Sequence, residues 1–89
     1  MARRPPKPDR ARQYRAAHYR EILSRVSANL RRLRAGAGLT QEAAAVRCGV
    51  TLRLFQRCEG KESNLTVTTI ARLCKGLEVD VVDLFRRID

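Results

Sequence analysis

Eighty-nine residues form one domain with a single core, and the formal charge of +10 points to a polyanionic partner. No run approaches the roughly 18 apolar residues of a membrane span, and no apolar segment follows the charged N-terminus, so neither a membrane protein nor a secretory signal is expected. An intracellular, cytoplasmic chain is the default. Residues 1–35 hold eleven Lys/Arg against Asp9 and Glu21, a net +9, whereas residues 36–89 hold eight against seven acids, a net +1. The field is therefore concentrated in the first helix and the segment before it.

Residues 1–8, MARRPPKP, contain three prolines and nothing apolar to bury, which rules out a regular helix. Arg3, Arg4, Lys7, Arg10 and Arg12 make this segment a non-specific basic arm, with a solubility tail as the plainer reading. Asp9 is placed to cap a helix beginning just after it. Tyr14, His18, Ile22, Val26, Leu30 and Leu33 recur at helical spacing, polar before Ile22 and apolar after it. The pattern predicts a packed helix over 21–35, with 1–20 an arm or helical extension and 21–89 the folded domain.

Gly36 and Gly38 end that helix, and Thr40 caps a second running from Gln41 to about Cys48. Gly49 closes it, Thr51 caps a third that ends at Glu59-Gly60, and residues 61–65 form a loop. Thr66 caps a fourth helix through about Lys75, with Val67, Ile70, Ala71, Leu73 and Cys74 as its buried face. Asp80 caps a fifth. There Val81 and Leu84 are expected to close the core, leaving Val82, Phe85 and Ile88 to cover something else. No segment alternates as a strand does.

Cys48, Cys58 and Cys74 are odd in number and fit neither a disulfide framework nor a metal-ligand spacing. Each falls on an apolar stripe, so buried small side chains are expected and no metal. With one His, no nucleophile–base set and no glycine-rich phosphate loop, no enzyme and no cofactor is expected.

The informative stretch is TQEAAAVRCGVTLRLFQRCEGK, residues 40–61. Two helices of about two turns joined by a short turn must cross steeply. Ala45 is the small residue at the contact and Gly49 the turn, while Ala44, Cys48, Val50, Phe55 and Cys58 lock the pair. Such geometry lets the second helix project far enough to enter a DNA major groove.

The string NLRRLRAGAGLTQEAAAVRCGV, with QRCEGK and NLTVTTIARLCKGLEVDVVDLF after it, resembles the phage-repressor and Cro-type (Xre-like) helix-turn-helix regulators over about residues 22–86. Within that family, N-L-T-V and K-G-L-E-V-D-V are similar to restriction–modification controller proteins. The resemblance implies an all-α, five-helix repressor-like domain, double-stranded DNA as partner and a homodimer on an operator. It implies base reading by Leu52, Arg53, Gln56 and Arg57, and backbone contacts from Gln41, Thr51, Lys61 and Asn64. Arg34 and Glu59 match a structural ion pair between the first and third helices, and Val82, Phe85 and Ile88 are the expected dimer surface.

Leu52 and Leu54 are apolar where the family is usually polar or small, and Leu65 replaces a frequent proline. Ala44 for leucine and Phe55 for a β-branched residue read as compensating volumes. Two alternatives remain open: an antitoxin-type module acting through a protein partner on Leu52 and Leu54, and a general nucleic-acid binder led by the basic half.

Overall fold

The caps expected at Thr40, Thr51, Thr66 and Asp80 all form. In the computed structural model, which describes residues 16–61 and 65–88, the three threonine side chains accept from the amides three residues on. Asp80 forms a reciprocal capping box with Asp83. These caps open α2 (Gln41–Cys48), α3 (Leu52–Glu59), α4 (Val67–Leu77) and α5 (Val81–Phe85), which come after α1 (Ala17–Gly36). The fold is all-helical, with five helices and no strand among the described residues.

The first helix begins four residues earlier than the apolar stripe predicts. Its N-cap, Ala16, makes no side-chain capping bond, and Asp9 lies outside the described residues. His18 is exposed, Ile22 is 37% exposed and full burial starts only at Val26. The first turns are thus helical without a core beneath them. A Glu21–Arg25 pair at 2.6 Å, four residues apart and acid first, supports them locally. At the other end Gly36 is the last helical residue, Ala37 the cap, and Gly38 takes the left-handed turn at φ 71°.

All five helices feed one core. Leu30 comes from α1, Ala44, Ala45 and Cys48 from α2, Phe55 and Cys58 from α3, Leu73 and Leu77 from α4, and Leu84 from α5. Full burial of Phe55, Leu30, Leu73 and Leu84 contributes roughly 1.5–3 kcal/mol each. Ala44 and Phe55 sit together in this cluster, small against large. Cys48 and Cys58 are buried, Cys74 is half-buried, and none of the three is in a disulfide. Burial pushes the Cys48 and Cys74 thiols upward.

Three expectations about buried faces fail. Val67 is 82% exposed and Ala71 is also exposed, because α4 turns Leu73, Gly76 and Leu77 inward instead. Val81 is 47% exposed rather than closing the core. Phe85 is half-buried and packs against the core. Leu84 takes the inner position of α5, so its neighbour Phe85 covers the edge of the cluster. The α2–α4 contact explains the inward register of α4. A Cβ on Gly76 would stand 2.6 Å from Cys48 Cα and 2.7 Å from Cys48 N, so the two backbones meet there.

Candidate nucleic-acid interface

The turn between α2 and α3 sets the recognition geometry. Gly49 adopts φ 66°, ψ 32°, the left-handed conformation that strains a residue with a Cβ and that glycine takes freely. Its amide and that of Val50 return to α2, Val50 N donating to Ala45 O at 3.1 Å. Thr51 then restarts the chain as α3. Phe55, Cys58 and Glu59 face inward on this helix, while Arg53, Gln56 and Arg57 are exposed. Together with Gly60 those three line one open concavity of about 410 Å³. Neither Arg53 nor Arg57 has an ion-pair partner among the described residues. Leu52 is half-buried beside them, and Leu54 packs against the core.

Beneath α3 lies a charged anchor. Glu59 is 4% exposed; Arg34 donates to it twice, Nε to Oε2 at 2.7 Å and Nη2 to Oε1 at 3.3 Å. The third guanidinium nitrogen, Nη1, donates to Leu39 O at 2.9 Å. The Glu59 carbonyl accepts from Ser27 Oγ and, at 2.8 Å, from Arg31 Nη1. A cation and a hydroxyl thus satisfy a carbonyl at the negative end of α3, and the carboxylate is paired edge to edge. One residue of α3 is held by three of α1.

The anchor reaches the surface through two glutamines. Gln41 Nε2 donates to Glu59 Oε1 at 2.8 Å, and Gln56 Nε2 donates to Gln41 Oε1 at 3.3 Å. Gln41 therefore occupies the start of α2 with one N–H still free. The amides of the first turn of α2 sit beside it, where a helix terminus favours anions. Thr51 is exposed with its hydroxyl oxygen accepting from Leu54 N at 3.1 Å. Lys61 is exposed at a left-handed φ of 66°. Asn64 and the arm residues Arg3, Arg4, Lys7, Arg10 and Arg12 lie outside the described residues.

On the α5 side, Val82 is 59% and Ile88 48% exposed, the latter beyond the end of the helix. Two structural residues escape a search for apolar periodicity: Ser27, fully buried on Glu59, and Asn29, 2% exposed. The signal for the first was present. Ser27, Arg31 and Arg34 recur at spacings of four and three, a polar stripe beside the apolar one. Among the described residues no cluster of His, Cys, Asp and Glu is placed to hold a metal ion, and no helix is long and apolar enough to cross a membrane.

The geometry matches known proteins. Residues 25–86 fit the helix-turn-helix domain family. The controller protein C.AhdI of Aeromonas hydrophila is 28% identical with a TM-score of 0.68, over 71% of this chain and 96% of its own. Wild-type restriction–modification controller protein C.Esp1396I is 33% identical with a TM-score of 0.66, over 72% and 83%. An HTH_3-family transcriptional regulator of Vibrio cholerae is 29% identical with a TM-score of 0.71, over 74% of this chain but 37% of its own. No curated protein matches the sequence. With the family pattern spanning the packed part of α1 through the end of α5, this chain belongs to the helix-turn-helix domain family of DNA-binding transcription regulators, which are not enzymes.

Proposed function

We propose that the protein is a controller-type regulator that binds a two-fold symmetric operator as a homodimer. One observation carries this reading: α3 presents Arg53, Gln56 and Arg57 to solvent from a base immobilised by the buried Arg34–Glu59 pair. Guanidinium groups free of ion pairs are suited to bidentate contact with guanine, which contributes about 1–3 kcal/mol of discrimination each. Gln56, with one amide proton committed to Gln41, keeps its carbonyl and second N–H for an adenine edge. Leu52 meets a thymine methyl. Gln41, Thr51, Lys61 and Asn64 hold the flanking phosphates, and the basic arm adds affinity with little sequence information.

A helix of eight residues reads only a few base pairs. Two copies related by a dyad would place their α3 helices about one DNA turn, roughly 34 Å, apart. Val82 and Ile88 form the exposed part of the surface that joins them, with Phe85 at its inner margin. Leu54 packs partly against the core and Leu52 is half-buried, so the two offer a protein partner little apolar surface, which weakens the antitoxin-type alternative.

Selecting bound duplexes from a random library tests both halves of the proposal. A palindromic consensus with half-sites one turn apart is expected. On that consensus, Arg53→Ala should cost about 1–3 kcal/mol while barely changing affinity for random DNA. Equal losses on both would identify a general nucleic-acid binder instead.

A further inference from the structure

The side of α1 turned away from α3 carries a second group of cations. Ser27, Arg31 and Arg34 reach Glu59, whereas Asn29 stands roughly 200° around the helix from Ser27 and faces α5. Between α1 and the extended segment after α5 lies a cleft of about 370 Å³, lined by Ala28, Asn29, Arg32, Arg86, Arg87 and Ile88. It lies across α1 from the recognition surface.

Asn29 builds this cleft. It is 2% exposed, and its Nδ2 donates to Leu84 O at 3.0 Å and Arg86 O at 2.9 Å. Its Oδ1 accepts from Arg32 Nη2 at 3.0 Å. One buried amide thus fixes the backbone that carries Arg86 and Arg87 and orients the guanidinium opposite. The nearby carboxylates are mainly engaged elsewhere: Asp83 pairs with Arg86 at 3.2 Å, and Glu21 pairs with Arg25 at 2.6 Å while the charge of Arg87 reaches it only as a weaker influence. Arg32 and Arg87 have no ion-pair partner among the described residues. Arg32 commits one N–H to Asn29, so most of its five N–H donors stay available.

We infer that this cleft binds an oxyanion of the phosphate class, gripped between Arg32 and Arg87 with Arg86 at its edge. Like charges converging on a pre-formed concavity repel one another until an anion neutralises them, and planar N–H forks match phosphate oxygens. The phosphate comes from a free phosphate compound or from a DNA phosphodiester beyond the segment that α3 reads. Occupancy ties the chain after α5, including Ile88, to α1.

Titration of the full-length protein with pyrophosphate at constant ionic strength tests the site without DNA, so its failure is separate from failure of the operator reading. Saturable binding is expected, with chemical-shift changes at the Asn29 side-chain amide and at Arg86, Arg87 and Ile88. The double variant Arg32→Gln/Arg87→Gln should weaken it by roughly tenfold or more, the loss of charge-assisted hydrogen bonds. Arg72→Gln, an exposed arginine on α4, should leave it intact. Linear, non-saturating shifts, or equal weakening by Arg72→Gln, would overturn the proposal. Competition by a library-selected duplex assigns the phosphate to DNA; simultaneous binding assigns it to a free compound.

Discussion

Arg34 and Glu59 are 25 residues apart in sequence and 2.7 Å apart in space, and on their pairing rests the position of α3. The Glu59 side chain is almost wholly buried and the Arg34 side chain is 21% exposed. Removing one member strands the other. Arg34→Ala should therefore destabilise the domain by about 3–5 kcal/mol, the range for breaking a buried pair. Glu59→Gln, which keeps hydrogen bonding, should cost less. Urea denaturation measures both; a loss in Arg34→Ala as small as that of an exposed pair would show the anchor to be dispensable.

The arm is tested by salt. Deleting residues 1–12 removes Arg3, Arg4, Lys7, Arg10 and Arg12 against Asp9. If those cations meet phosphates, log affinity should depend less steeply on log salt, by about 0.9 for each phosphate that the arm neutralises. Fluorescence anisotropy at several salt concentrations gives the slope. An unchanged slope would make the arm a spectator.

Gly76 offers a case in which two effects oppose each other. Inside a helix, Gly→Ala gains about 1 kcal/mol of propensity. Here the new Cβ would lie 2.6 Å from Cys48 Cα, a backbone atom that cannot rotate away. Overpacking of this kind costs about 1–3 kcal/mol or more, so Gly76→Ala should lower the melting temperature. A raised one would mean that α2 and α4 separate freely.

Val82 is a cleaner probe of the proposed dimer than Phe85. Both lie on α5, but Phe85 packs against the core, so Phe85→Asp should destabilise the fold as well as any interface. Val82 is 59% exposed. Val82→Asp should give folded monomers by sedimentation, with unchanged helicity and weaker operator binding. A dimeric Val82→Asp protein would place the interface elsewhere.

The thiols should respond to pH in a defined direction. Burial, the largest cause, pushes the Cys48 and Cys74 thiols above their ordinary value of 9.0. Folding thus favours their neutral forms. The corresponding stability is complete below the unfolded value and is lost as pH rises through it toward the folded one. Alkylation by iodoacetamide at mildly alkaline pH should be slower in the native protein than in urea, with Cys48 slower than the less buried Cys74. Equal rates before and after unfolding would contradict this.

The sequence by itself determined the elements that depend on neighbours along the chain. Thr40, Thr51, Thr66 and Asp80 cap amides two or three residues away, and Gly49 relieves a clash within its own backbone. Such interactions are local, so spacing and residue type reveal them. The family motif added the Arg34–Glu59 pair and the outward positions of α3. Tertiary structure alone decided which side of α4 and α5 turned inward. Val67, Ala71 and Val81 have the same apolar character as residues that are buried, and only the backbone contact at Gly76 and the central place of Leu84 select among them. It also decided the buried polar links of Ser27 and Asn29, whose partners lie 32 and up to 57 residues away. The stripe of Ser27, Arg31 and Arg34 marks a polar face of α1 but not what it meets, and Asn29 has no such mark, because the acceptors are backbone carbonyls that every residue carries.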